Sequence, residues 1–184
     1  MKPISIRFSG FGGQGIILVS VILGTAVVTK KDLYAVQTQS YGSEARGGQC
    51  QAELIISSER IDSPTTHQKD ILVSLFQSAL DRYIDTLKPE GTLIVDPKLV
   101  NSYPRDTYTV YEVPATETAI RIGNRIAANM VLLGFLQPML QIVSEEEMQQ
   151  VIKEQVKEKF VDVNLKAFQE GLAIAKDLNP AWRN

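Results

Sequence analysis

The sequence predicts a soluble α/β protein with a layered sheet of mixed strand direction, on three observations. Short β-rich runs alternate with helical periodicities along most of the 184 residues, the pattern of helices packed on a sheet. A glycine-rich turn, "GFGGQG" (Gly10–Gly15), joins a first strand to a first helix. The stretch "QCQAELII" (Gln49–Ile56) alternates strictly with a period of two, which favours antiparallel over central parallel pairing.

Ile4–Phe8 reads as a short strand running straight into the glycine turn. Gln14–Val28 reads as a helix that is apolar on every side, so it should be sandwiched between a sheet and another element. Its uncharged core, about 14 residues long, falls short of the ~20 that span hydrocarbon. No convincing cleavage pattern follows it, so the expectation is a soluble, cytoplasmic chain. Asp32–Thr38 is a second strand, followed by a polar loop from Gln39 to Gly48. In the alternating strand after it, Gln49, Gln51 and Glu53 face one way, and Cys50, Ala52, Leu54 and Ile56 face the core.

Asp70–Phe76 is a buried strand, and Ser78–Lys88 an amphipathic helix with the stripe Leu80, Tyr83, Ile84 and Leu87. "PEG" (Pro89–Gly91) breaks that helix, "TLIVD" returns as a strand, and Thr107–Val113 is a further one. The remainder is helical, with a nearly apolar helix over Asn124–Leu140. Ser144 and Glu147 have the spacing of a capping box. Met148, Val151, Ile152 and Val156 continue that helix, and Val161, Leu165, Phe168 and Leu172 mark the last one. No repeat, linker or low-complexity stretch divides the chain, so residues 1–184 are expected to form one domain.

A net charge of −2 gives no general pull toward nucleic acid or anionic membrane, and neither is expected as a partner. The single cysteine, Cys50, excludes an intrachain disulfide and any cluster ligated by this chain alone. On an apolar strand face it reads as an inert core thiol. His67, the one histidine, has no cysteine or carboxylate company that would suggest a metal or a general base. No metal and no catalytic residue is assigned.

Two loops concentrate the unusual residues. In the first, Gly10, Gly12 and Gly15 stand at G-x-G-x-x-G spacing between a strand and a helix. Glycines admit close backbone approach, and the first helical N–H groups carry a partial positive charge, so an anion is the natural guest. A dinucleotide would need an acid at the end of the second strand, but the first acid after Asp32 is Glu44, and Asp32 sits at the wrong end. No Gly-Lys-Ser or Gly-Lys-Thr follows for a P-loop. A tight turn with no ligand at all also satisfies the pattern. In the second loop, "YGSEARGG", Tyr41, Glu44 and Arg46 lie among Gly42, Gly47 and Gly48. The arginine offers a fork for phosphate or carboxylate. Asn124 suits a helix cap. Asn129, inside an apolar helix, needs partners for a buried amide, either in the glycine turn or on another subunit.

Taken together, "GFGGQG" and "YGSEARGG" resemble the gamma subunit of the 2-oxoacid:ferredoxin oxidoreductases. "DILVSLFQSALDRYIDTLKPEGTLIVD" is similar to that family's central strand–helix–strand unit, "IGNRIAANMVLLG" to its asparagine-bearing helix, and "VDVNLKAFQEG" to its C-terminal helix. Where some relatives carry proline, this chain has Ser43. The resemblance implies an α/β/α layering with a mixed, mainly parallel sheet, like the third domain of pyruvate–ferredoxin oxidoreductase. It implies a multisubunit enzyme that decarboxylates a 2-oxoacid with thiamine diphosphate, passes electrons through iron–sulfur clusters to ferredoxin, and delivers the acyl group to coenzyme A. Overall similarity leans to 2-oxoglutarate. Thiamine diphosphate and the clusters would reside on alpha and beta partners, with a delta chain as a further companion, and the heteromer is compatible with two-fold pairing. This chain would contribute a wall and an anion cradle near coenzyme A, with Gly10, Gly12, Gly13, Gln14, Gly15, Tyr41, Gly42, Glu44, Arg46 and Asn129 as its cofactor-facing residues. A stand-alone nucleotide- or flavin-binding protein and a ligand-free assembly scaffold are the alternatives.

Overall fold

The structure is a computed structural model that describes residues 1–30, 32–41 and 48–178. Among the described residues six strands form one sheet: β1 (Ile4–Phe11), β2 (Tyr34–Tyr41), β3 (Gln49–Ser57), β4 (Lys69–Ser74), β5 (Leu87–Val95) and β6 (Thr109–Glu112). Their spatial order is β2-β3-β1-β4-β5-β6. β1, β4, β5 and β6 pair in parallel, while β3 runs antiparallel to both β1 and β2. The expected mixed, mainly parallel sheet is therefore observed, with β3 the one strand of the six running against the rest.

The described residues also form six α-helices: α1 (Ile16–Val28), α2 (Gln77–Tyr83), α3 (Ala115–Ile122), α4 (Ala128–Leu140), α5 (Glu145–Gln155) and α6 (Val161–Leu178). α1 lies on β1, β2 and β3, and α4 is sandwiched between its neighbours α1, α3 and α6. Ile4, Ile6 and Phe8 of β1 point into this larger core with Cys50, Leu54 and Ile56 of β3. The opposite face of the sheet holds a smaller cluster in which Leu72, Leu93 and Val95 meet Leu80, Leu87 and Val100. That two-sided cover makes the layering α/β/α.

Several boundaries differ from the sequence reading, each for a local reason. β1 continues to Phe11, so Gly10 is a strand residue. Its hydrogen atoms leave room that a Cβ would deny, since a methyl there would sit 2.5 Å from the Gln14 side chain. β2 likewise runs on to Tyr41 because β3 offers it partners throughout, Tyr41 lying opposite Cys50. The expected loop therefore loses Gln39, Ser40 and Tyr41 to the strand. The predicted 78–88 helix ends early: a 3-10 turn spans Ile84–Thr86, and Leu87 already pairs with Lys69 in the sheet. Pro89–Gly91 is consequently a bulge within β5 rather than a helix stop. β6 is confined to Thr109–Glu112. The long apolar helix is preceded by a separate 3-10 turn, Arg125–Ala127, whose start Asn124 caps by accepting from Ile126 N at 3.1 Å. The Ser144–Glu147 capping box is present as read.

The largest departure concerns Glu53. Alternation places it opposite the core, yet it is only 7% exposed, because α2 and its 3-10 turn roof that face too. Burial is tolerated through pairing: Arg7 and Lys69 both bind the Glu53 carboxylate.

Candidate functional site: the glycine-turn crest

The crest forms where β1 ends and α1 begins, at the carboxyl ends of the parallel strands, the position where open α/β sheets accept ligands. Gly15 is the N-cap of α1 in a left-handed conformation with φ +71°. No side chain caps the helix and no acid occupies its first turn, so its leading amides remain available to an anion. Gly13 is also left-handed, at φ +94°, with nothing within 4 Å of where a Cβ would lie. Gly12 N donates to Gly48 O at 3.0 Å, tying the first turn to the foot of the second loop.

Gln14 is not the first helical residue. Its side chain spans the crest instead: Oε1 accepts from Phe11 N at 2.6 Å and Nε2 donates to Leu75 O at 2.9 Å. It therefore braces the ends of β1 and β4 without occupying the amides of α1. Asn129 does the corresponding work from α4. Its Nδ2 donates to Gly15 O at 3.2 Å, and a Cβ on Gly15 would lie 2.2 Å from that nitrogen. The Asn129 side chain is buried, and its Oδ1 has no hydrogen-bond partner.

Beside the turn lies a cleft of about 280 Å³ lined by Phe11, Gly13, Gln14, Phe76, Arg125 and Ile126, among others. Phe11 and Phe76 form one apolar wall, their ring centroids 5.0 Å apart. Arg125, presented by the Asn124-capped turn, is exposed and makes no ion pair among the described residues. Ile126 beside it is 66% exposed. Amides at a helix start, a free guanidinium and an apolar wall suit a ligand with an anionic head and an apolar body.

Of the predicted site residues, Gly10, Gly12, Gly13, Gln14, Gly15 and Asn129 converge on this crest. Tyr41 ends β2 at the same edge and is 68% exposed. Gly42, Glu44 and Arg46 lie outside the described residues. Sequence reasoning missed Arg125 and Ile126; the only available signal was the cap in "GNR", which makes the residue after it project. Elsewhere, Cys50 is buried and burial pushes its thiol upward, and His67 is exposed. Among the described residues no group of three His, Cys, Asp or Glu could hold a metal ion, so this donor set does not fit an iron–sulfur cluster. No described helix is long and apolar enough to cross a membrane.

A mixed α/β/α sheet with a glycine-led crest defines the class, and residues 5–174 match the family model of pyruvate ferredoxin/flavodoxin oxidoreductase. The chain belongs to that family. Within it, the chain is 47% identical over 176 residues to the 2-oxoglutarate synthase subunit KorC of Methanocaldococcus jannaschii, covering 94% of each chain. The keto/oxoacid ferredoxin oxidoreductase gamma subunit of Geobacter sulfurreducens PCA superposes with a TM-score of 0.85 at 39% identity, covering 96% of this chain and 98% of that one. The 2-oxoglutarate:ferredoxin oxidoreductase of Magnetococcus marinus, solved with 2-oxoglutarate, coenzyme A and succinyl-CoA bound, superposes with a TM-score of 0.86 at 26% identity. This chain covers 32% of that protein's chain, while 98% of this chain is matched.

Proposed function

We propose that this chain is the gamma subunit of a 2-oxoacid:ferredoxin oxidoreductase acting on 2-oxoglutarate, and that its crest holds the anionic part of coenzyme A. The complex would convert 2-oxoglutarate and coenzyme A to succinyl-CoA and CO2, reducing ferredoxin. The subunit and its substrate follow the KorC and gamma-subunit relatives, which match nearly end to end. No such relative supports the stand-alone flavin or nucleotide reading.

The observation that carries the coenzyme A assignment is the uncapped start of α1, directly preceded by Gly13 and Gln14, which line a cleft together with Arg125, a residue without an ion pair among the described residues. Phosphate groups are the ligand chemistry that such amides and a guanidinium recognise together. Gly13 admits close approach, Gln14 and Asn129 hold the turn in shape, and Tyr41 stands at the same edge; Glu44 and Arg46, outside the described residues, are assigned to the same ligand as part of this proposal. Thiamine diphosphate and iron–sulfur clusters are assigned to the alpha and beta partners. Thiamine diphosphate supplies the carbanion stabilisation for decarboxylation and the clusters carry the electrons, and the lone buried Cys50 supports placing the clusters elsewhere. Residues 1–184 act as one cytoplasmic domain in this reading.

The test uses the assembled enzyme with Arg125→Ala and Arg46→Ala. Loss of a charge-assisted hydrogen bond, about 1.5–3 kcal/mol, should raise the KM for coenzyme A roughly tenfold or more. The KM for 2-oxoglutarate should stay near its original value. Unchanged coenzyme A affinity and turnover in both variants would overturn the assignment.

A further inference from the structure

Because β3 runs against its neighbours, its register on β1 decides what arrives at the glycine turn. The pairing is unbroken from Ile4 opposite Ile56, through Arg7 opposite Glu53, to Phe11 opposite Gln49. The hydrogen bond from Gly12 N to Gly48 O is the next step of the same register.

The apolar face of β3 does not specify that register. Cys50, Ala52, Leu54 and Ile56 are all apolar and face the core residues Ile4, Ile6 and Phe8. A slide of two residues keeps every side chain on its face, so the hydrophobic pattern tolerates it. β2, which would travel with β3, carries no charge. On the opposite face, Gln49 at the start of the strand bonds Ser78 and Arg82, and the one charged residue of β3 is the buried Glu53. One Glu53 oxygen takes the Arg7 guanidinium, and the other lies 2.7 Å from Lys69 Nζ. Arg7 and Glu53 are each 7% exposed and Lys69 is 1% exposed.

The two cations are themselves fixed. Arg7 Nη1 donates to Thr86 Oγ1 at 2.6 Å, and the guanidinium stacks 4.6 Å from the Tyr83 ring centre. Lys69 Nζ also donates to the Thr66 carbonyl. Arg7 stands on β1 and Lys69 on β4, strands joined by parallel pairing. The anion stands on β3, the strand whose apolar face leaves a two-residue slide open.

We propose that the buried Arg7–Glu53–Lys69 triad is a register lock, with Glu53 the positioning residue that seats Gly48 on Gly12 and so sets the crest. A slide of two residues would set Arg7 opposite Gln51 or Ile55 and break both ion pairs of Glu53, leaving Arg7 with Thr86 and Lys69 with Thr66 alone. Replacing a buried ionic triad by apolar residues is often neutral or stabilising, and in some proteins a buried polar group is what fixes one pairing. The inference needs neither the substrate nor the partners of the proposed function.

The test replaces the triad by Arg7→Met, Glu53→Leu and Lys69→Met in the full chain, in a Cys50→Ala background. Three cysteine pairs report register under mild oxidation. Ser9→Cys with Gln51→Cys reads the native pairing. Ser9→Cys with Gln49→Cys, and Ser5→Cys with Ser57→Cys, read slides in the two directions. Diagonal partners, roughly 7–8 Å apart, are too distant to bridge in the native register. With the triad present, only the native pair should cross-link. The apolar variant should retain a cooperative thermal transition yet lose at least tenfold in the ratio of native to slid cross-links. Native-only cross-linking in that variant would overturn the proposal. If the triple variant does not fold, the isosteric Glu53→Gln replaces it under the same readout: a tenfold drop in the ratio supports the lock, and an unchanged ratio refutes it.

Discussion

The seam between α4 and α6 offers a quantitative test of how the crest is supported. Gly134 of α4 and Gly171 of α6 let the two backbones touch: a Cβ on Gly134 would lie 2.0 Å from Phe168 O, and one on Gly171 would lie 2.0 Å from Val131 O. Gly134→Ala therefore forces the helices apart, since ordinary contact begins near 3.4 Å and the obstacle is backbone that cannot rotate away. A gap of 0.5–1 Å forfeits about a quarter to a half of each pairwise attraction. With backbone as the obstacle among the buried Val131, Phe135, Phe168 and Leu172, the cost is set at about 3 kcal/mol, the top of the usual overpacking range. Alanine returns about 1 kcal/mol of helix propensity, leaving a net loss of about 2 kcal/mol. For a chain of this size the melting temperature should fall by roughly 4–8 °C, read by calorimetry or circular dichroism. Because α4 also carries Asn129, the same variant should loosen the amides of the glycine turn in hydrogen exchange. Gly123→Ala is the control: φ is +99° but nothing lies within 4 Å, so only a left-handed penalty of about 1–2 kcal/mol applies. A Gly134→Ala chain as stable as the parent would refute the reasoning.

Three further outcomes follow from the same structure. The hydrogen bond from Lys30 and those with Ser144 hold the Glu147 carboxyl down to about 2, from 4.5. Being depressed, it contributes stability present above pH 4.5 and lost as pH falls toward 2; NMR titration should find that midpoint, and Lys30→Ala should move it upward, whereas an unmoved midpoint contradicts the pairing. Ser144→Ala removes the cap on Glu147 N and should cost about 1 kcal/mol in denaturant unfolding, a loss that a silent variant would rule out. Cys50, buried with its thiol pushed upward, should resist iodoacetamide until the chain unfolds, and rapid stoichiometric alkylation of the native chain would contradict its placement.

Much of the architecture was legible because it is written in local chemistry. The capping box at Ser144, the cap at Asn124 and the alternation of β3 each depend on a few adjacent residues. So does the glycine turn, whose left-handed positions at Gly13 and Gly15 only glycine adopts cheaply. What escaped depends on neighbours distant in the chain. A polar residue before an apolar run reads as a helix start, and only the carbonyl of Leu75 shows why Gln14 turns back to brace the strands. Alternation sends Glu53 to solvent, because a roof supplied by residues 77–86 is invisible to a period of two. Arg125 could be recognised as a projecting cation, but its place in the crest follows only once α4 is seen to abut the turn through Asn129.

Under the proposed function, the start of α1 meets the phosphates of coenzyme A beside the cleft that Gly13, Gln14 and Arg125 line. An experimental structure of the assembled enzyme with coenzyme A bound tests it most directly. A phosphate is expected within hydrogen-bonding distance of the Gly13–Ile16 amides or of Arg125. Coenzyme A bound elsewhere, with that helix end sealed by side chains of this same chain, would contradict it.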